Sequence, residues 1–264
     1  GQFALSRALT GRDEQLADLN ARLSALADAA IGSAIRFLLL EAAGRGKLDL
    51  PDAADPETGS GWVILGMGKL GACELNFSSD IDLVVFFDPQ APAVGDPWDA
   101  ADTFVRMTRR LVRILQDRTE HGYVFRTDLR LRPDPGSTAL AIPVEAALIY
   151  YEGRGQNWER AAMIKARPVA GDIRAAEAFL KELQPYVWRK YMDYAAIADV
   201  HSIKRQIHAH RGHDAIAVHG HNVKLGRGGI REIEFFVQTQ QLIAGGRFPE
   251  LRGRQTIAML HMLA

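Results

Sequence analysis

Two carboxylates one residue apart, Asp80 and Asp82, follow a glycine-rich turn, Gly66-Met67-Gly68-Lys69-Leu70-Gly71, and open an apolar run. On a strand, side chains alternate faces, so both acids point the same way, roughly 7 Å apart by backbone rise. Carboxylates held in parallel on rigid backbone can share a divalent cation, which takes oxygen ligands. The glycines let backbone amides come close to phosphate oxygens. The combination implies metal-assisted chemistry on a nucleotide phosphate. Asp-x-Asp alone is common and also suits a strand start with solvated acids. Ser78-Ser79 and the glycine turn directly before it favour a site.

The elements that must position these groups can be read from periodicity. Residues 13–46 read as helical, with Leu16, Leu19, Leu23, Leu26 and Ala30 making one apolar stripe. Asp52–Ser60 is a loop. Trp62–Leu65 is a short strand feeding the glycine turn. Ile81–Phe87 is apolar on both faces and therefore central. Asp96 caps a helix from about Trp98 to Asp117, with Phe104, Met107, Leu111 and Ile114 facing inward. Tyr123–Arg132 reads as a strand with a core face (Tyr123, Phe125, Thr127, Leu129, Leu131) and a polar face (Val124, Arg126, Asp128, Arg130, Arg132). Beyond Pro143 helices are expected at about 144–152, 157–165, 173–190 and 195–210. The simplest partition is an N-terminal helical segment (1–54), a mixed-sheet domain (55–142) and a helical domain (143–264). The class is α+β.

Composition sets outer bounds. At 264 residues the chain can bury one large core or two smaller ones. Lysine plus arginine equals aspartate plus glutamate at 32 each, so no global field draws the chain to nucleic acid or membrane. The single cysteine, Cys73, excludes an internal disulfide and fits a reducing, cytoplasmic compartment; without a base partner it reads as a small buried residue. No apolar stretch is expected to approach membrane-spanning length. The last residues read as a helix cut off without a cap, as in a piece of a longer protein.

A sheet domain with an Asp-x-Asp strand, a later aspartate strand and a glycine-lysine entry is similar to nucleotidyltransferases, with Asp128 the natural third carboxylate. Asp128 could instead serve only as an ion-pair partner for a neighbouring arginine. The resemblance then narrows. The run from Gly66 to Leu83 resembles the signature of the glutamine synthetase adenylyltransferase/adenylyl-removing family. Asp128-Leu129-Arg130-Leu131-Arg132-Pro133 resembles its third-carboxylate strand. Trp158-Glu159-Arg160 with Lys165-Ala166-Arg167, and the run from Lys224 to Phe235, resemble later blocks. The likeness covers about residues 60–264.

This resemblance implies a bifunctional enzyme with two nucleotidyltransferase halves. One attaches AMP to a tyrosine of glutamine synthetase. The other removes it with orthophosphate and releases ADP. Asn76-Phe77 before Ser78, and the helical residues ahead of the motif, look more like the removing half. Asp80, Asp82 and Asp128 would then hold magnesium or manganese. Gly66, Gly68, Lys69, Ser78 and Ser79 would line the nucleotide. Arg130 and Arg132 could meet phosphate or pair with acids. Lys165 and Arg167 could reach one anion. Glu159 and Arg160 could lock a helix or support catalysis. Lys224 and Arg231, beside free amides at a helix start after Gly229, could bind orthophosphate or the nucleotide tail; Glu232 could orient a basic group. The implied partners are adenylylated glutamine synthetase and, through the longer enzyme, the PII signal protein; a monomer is expected.

Three other readings stay open: the ATP-dependent adenylylating half, a nucleotidyltransferase acting on RNA ends, and a catalytically silent nucleotide-binding module. Six histidines fall in 201–221 (His201, His208, His210, His213, His219, His221), but no cysteine joins them and their spacing matches no zinc motif. They read as a solvated loop.

Overall fold

The computed structural model describes residues 13–189, 222–224, 226 and 228–264. The helix expected at about 195–210, the histidine run and Arg227 lie outside them. The described residues fall into two compact units, one within Gly1–Arg154 and Lys165–Leu183, the other within Gly155–Ile164 and Gln184–Ala264.

In the first unit a long helix, α1 (Asp13–Gly44), precedes strand β1 (Trp62–Gly66), the one-turn helix α2 (Gly68–Gly71) and strand β2 (Ile81–Phe87). Helix α3 (Pro97–Gln116) leads to strand β3 (Thr127–Asp128), and β4 (Ile142–Pro143) runs directly into α4 (Val144–Gly153). Helix α5 (Asn157–Met163) belongs to the second unit; strand β5 (Arg167–Gly171) and most of α6 (Ile173–Val187) return to the first. The sheet runs β3-β2-β1-β5, with β4 also on β2. β1 is antiparallel to both β2 and β5. β3 and β4 are parallel to β2, β3 at its start and β4 at its end. The class is α+β with a mixed sheet, as expected.

The core follows from the sequence. β2 is buried on both faces from Leu83 onward, and Trp62, Phe87 and Phe104 cluster beneath α1 and α3. Asp96 caps α3 by accepting from Trp98 N at 2.9 Å, as expected. Phe104, Met107 and Leu111 face inward, but Ile114 is exposed and Leu115 is buried in its place. The inward stripe of α1 also differs from expectation. Leu16 and Leu26 are exposed, and the buried line is Leu19, Ala27, Ile31, Ile35, Leu38, Leu39 and Ala42. The sheet lies against the second half of the helix, so the facing residues there set the phase. The stretch Leu16–Gly44 is long and apolar enough by length and composition to cross a membrane, contrary to the expectation of none. Its inner face packs on the sheet core.

β5 lies within the stretch expected to be mostly helical, and β3 is two residues rather than ten. Asp128 explains the short strand. Its side chain accepts the Arg130 backbone N–H at 2.8 Å, a local turn that competes with the ladder. Just before β3, the N–H groups of Val124 and Phe125 donate to Leu115 O at the end of α3. Tyr123, expected to face the core, is exposed, whereas Phe125 and Leu129 pack against it.

In the second unit α5 stands with α7 (Ile230–Ala244), a 3-10 turn (Pro249–Arg252) and α8 (Thr256–Leu263). Gln241 joins α7 to the 3-10 turn by donating to Leu251 O and Gly253 O, each at 2.7 Å.

Candidate active site

Parallel register places Asp82 opposite Asp128, so the two carboxylates stand on one face of the sheet at adjacent positions. Asp80 lies two residues before Asp82 and accepts a hydrogen bond from Arg126 Nε. Arg126 donates also to Tyr123 Oη (3.0 Å) and Ser78 O (2.8 Å), tying the chain entering β3 to the Asp-x-Asp turn. Arg130 forks onto Asp128, with Nε at 2.8 Å and Nη2 at 2.5 Å from Oδ2. That hydrogen bond holds the Asp128 carboxyl below the usual carboxylate range, against the opposing effect of burial. It also holds the Arg130 guanidinium above its ordinary pKa, and the charges of Asp82 and Asp80 add to this. All three carboxylates therefore act on one exposed cation.

The glycine turn supports this face. Gly68 has φ +52°, and a Cβ there would stand 2.9 Å from Asp82 Oδ2, so backbone comes as close to that carboxylate as a glycine permits. Met67 N donates to Asp82 O at 2.9 Å. Gly71 is packed so that a Cβ would overlap the carbonyl oxygens of Lys165 and Gly66. The Lys69 carbonyl accepts from Glu74 N at 2.8 Å, but its side chain makes no hydrogen bond or ion pair with any described residue, whereas Ser79 Oγ donates to Asn76 Oδ1 at 2.5 Å. Ser78 presents its carbonyl to Arg126.

The donor set suits a hard, oxygen-ligated cation such as magnesium. The observation that fits it is the in-register pair Asp82–Asp128, with Asp80 two residues before Asp82. Among the described residues no three acidic, histidine or cysteine side chains are gathered closely enough to hold a metal. Asp80 and Asp128 are each turned onto an arginine instead.

Other candidates have internal partners. Arg132 donates to the carbonyls of Leu129, Pro135 and Thr138, and burial pushes its pKa down. Arg167 forks onto Asp28 of α1 at 2.9 and 3.0 Å and donates to Leu70 O at 3.1 Å, which clamps α1 to the glycine turn. Both side chains are less than a third exposed. A double-mutant cycle of Asp28→Ala with Arg167→Ala should read a coupling of roughly 1–3 kcal/mol in urea unfolding; zero coupling would show that the fork does not hold the helix. Lys165 is buried with Nζ 3.5 Å from Glu74.

In the second unit Glu159 accepts from Gln156 N at 2.7 Å and caps its own helix. Arg160, fully buried, donates to the carbonyls of Tyr186 and Val187 and to Asn157. The free amides expected ahead of α7 are already engaged. Gly228 N donates to Glu232 Oε2 at 2.6 Å, Gly229 N to Gly226 O, Ile230 N to Val223 O and Arg231 N to Lys224 O. Glu232 thus closes the glycine turn, and among the described residues the side chains of Lys224 and Arg231 remain as basic groups there.

Sequence reasoning left out the α3 residues that line the cleft with the carboxylates. Asp80, Arg126, Asp128 and Arg130 share a cleft of about 650 Å³ with Arg109, Arg113 and Gln116 of α3. The signal was present as a polar stripe at positions 109, 113 and 116, but a solvated helix face reads identically.

A family model described as Glutamate-ammonia ligase adenylyltransferase matches residues 4–182, starting well ahead of the region where motifs were legible. A model described as GlnD PII-uridylyltransferase matches residues 201–264. The chain is 80% identical over 243 residues to the bifunctional glutamine synthetase adenylyltransferase/adenylyl-removing enzyme of Mesorhizobium japonicum, covering 92% of this chain and 25% of that protein. It is 69% identical over 260 residues to the protein of the same name from Rhizobium meliloti (98% and 26%) and 60% over 245 residues to that of Xanthobacter autotrophicus (93% and 25%). The chain spans about a quarter of the length of these curated relatives. With 179 of its 264 residues inside the first family model, this chain belongs to the glutamate-ammonia ligase adenylyltransferase family.

Proposed function

We propose that this chain carries the adenylyl-removing activity of its family. It would cleave AMP from an adenylylated tyrosine of glutamine synthetase with orthophosphate, in the cytoplasm and under PII control in the longer enzyme. The observation that supports a nucleotidyl-transfer site best is the in-register pair Asp82–Asp128, backed by the close approach of Gly68. Asn76-Phe77 and the helix ahead of β1 favour the removing half by resemblance.

In the reaction an orthophosphate oxygen bonds to the adenylyl phosphorus as the bond to the tyrosine oxygen breaks. The proton from orthophosphate ends on the phenolic oxygen, giving ADP and free tyrosine. Both reactants are anions, so charge neutralisation is the main demand. Asp80, Asp82 and Asp128 would hold magnesium or manganese, which supplies Lewis-acid stabilisation of the charge on the transferring phosphate. Gly66, Gly68 and Lys69 would lie along the nucleotide, and the Lys69 side chain, without a described partner, would meet its phosphates. Arg126 keeps Asp80 and Ser78 in place. Arg130, largely exposed, can leave Asp128 and turn to the substrate phosphate.

The test is a two-way assay. With adenylylated glutamine synthetase the chain should release ADP only when orthophosphate is present. Labelling of unmodified synthetase from ATP, with no phosphate-dependent ADP release, would assign the chain to the adenylylating half instead.

A further inference from the structure

We propose that the basic stripe of α3, led by Arg109 with Arg113 beside it, is a subsite for a dianionic phosphate group in the cleft that carries Asp80 and Asp128. For the identity of the ligand this rests on the phosphorolytic reading. The site itself rests on geometry.

Arg109, Arg113 and Gln116 recur at helical spacing on one side of α3 and line the cleft. The other side carries Phe104, Met107, Thr108, Leu111 and Leu115 into the core, which fixes the helix rotation. The end of the helix is pinned as well. Leu115 O accepts from Val124 N at 3.0 Å and Phe125 N at 2.8 Å, in the segment that leads to Asp128. The stripe and the carboxylates thus line one cleft, and backbone hydrogen bonds tie the end of α3 to the segment that carries Asp128.

Charge decides what the cleft takes. Four guanidiniums, Arg109, Arg113, Arg126 and Arg130, line the cleft with two carboxylates, Asp80 and Asp128, and a third, Asp82, stands in register beside Asp128. Arg126 and Arg130 are engaged by those carboxylates. Arg109 pairs with no acid among the described residues, and Arg113 makes only an exposed 3.4 Å contact to Asp117, a geometry of little strength. Arg109, with Arg113 only weakly held one turn on, therefore presents a guanidinium in the cleft that a phosphate group can engage. Guanidinium forks suit its oxygens.

The source could be free orthophosphate or the phosphates of a nucleotide. Isothermal titration of the whole chain with inorganic phosphate and, separately, with ADP distinguishes them, comparing wild type, Arg109→Ala and Arg109→Lys. Arg109→Ala should weaken one of the two ligands by about tenfold or more, the loss expected for a charged hydrogen bond. Arg109→Lys should recover part of that loss, and the melting temperature should not move, because the residue is exposed. Weakening of phosphate alone assigns the wall to orthophosphate; weakening of ADP assigns it to the nucleotide. Unchanged affinity for both overturns the subsite. The two readings fail separately. Phosphate held through Arg109 without phosphate-dependent ADP release keeps the subsite and removes the assigned half. Phosphate-dependent release with unaltered affinity for both phosphate and ADP in Arg109→Ala does the reverse.

Discussion

Asp82→Asn is expected to lower phosphate-dependent ADP release by about 10²–10³-fold, the scale on which loss of one electrostatic contact to a transferring group is felt, while leaving the unfolding midpoint close to wild type. The substitution preserves shape and removes one negative charge. The backbone carbonyl of Asp82 keeps its bond from Met67 N whatever the side chain is, and the register with Asp128 is a main-chain property. A large activity loss with an intact fold would place Asp82 in the chemistry. An Asp82→Asn protein with wild-type turnover would remove it. Gly68→Ala gives a related, smaller effect on the same carboxylate, since it disturbs a left-handed turn 2.9 Å from Oδ2.

The second large effect is on stability. Gly71→Ala should destabilise the first unit by about 3 kcal/mol or more, at the upper end of overpacking substitutions. The added methyl has no open direction. It meets the carbonyl oxygens of Lys165 and Gly66, both belonging to backbone that cannot rotate aside. The turn would have to back away from the chain entering β5, and the Arg167 bond to Leu70 O would stretch with it. Gly32→Ala is the control. It sits within α1 with nothing within 4 Å of the new methyl, and helix propensity predicts stabilisation of roughly 0.5–1 kcal/mol. Urea unfolding of the two variants should move in opposite directions. A Gly71→Ala midpoint equal to wild type would mean that the glycine turn and the Lys165 segment are not packed as described.

The readable and unreadable parts of the molecule divide along physical lines. β1, β2 and the Asp96 cap were legible because each depends on local pattern: a doubly apolar run, or a side chain two residues from the N–H that donates to it. Asp82 and Asp128 meet in register, while Asp80 lies just before β2, outside the strand whose alternation was to align it, and β3 is much shorter than its pattern suggested. There the Asp128 side chain takes the Arg130 amide and ends the ladder, a competition that apolar alternation does not report. β5 was missed because Arg167-Pro168-Val169-Ala170-Gly171 carries a proline and a glycine, residues tolerated on an edge strand but poor as a strand signal. The role of α3 was half legible. Its apolar side announced the helix, while the arginine side acquires meaning only once β3 is known to lie across from it. Arg132 and Arg167 show the converse: arginines in motif-like runs whose forks hold backbone carbonyls and a helix.

The most direct test of the whole account is a manganese titration followed by electron paramagnetic resonance, on wild type, Asp82→Asn and Asp128→Asn. Because loss of even an outer-shell partner weakens metal sites by roughly 10–100-fold, each carboxylate removed should cost about tenfold or more in affinity. Equal manganese affinity in all three proteins would contradict the account, because the acids would then share a sheet face without sharing a cation.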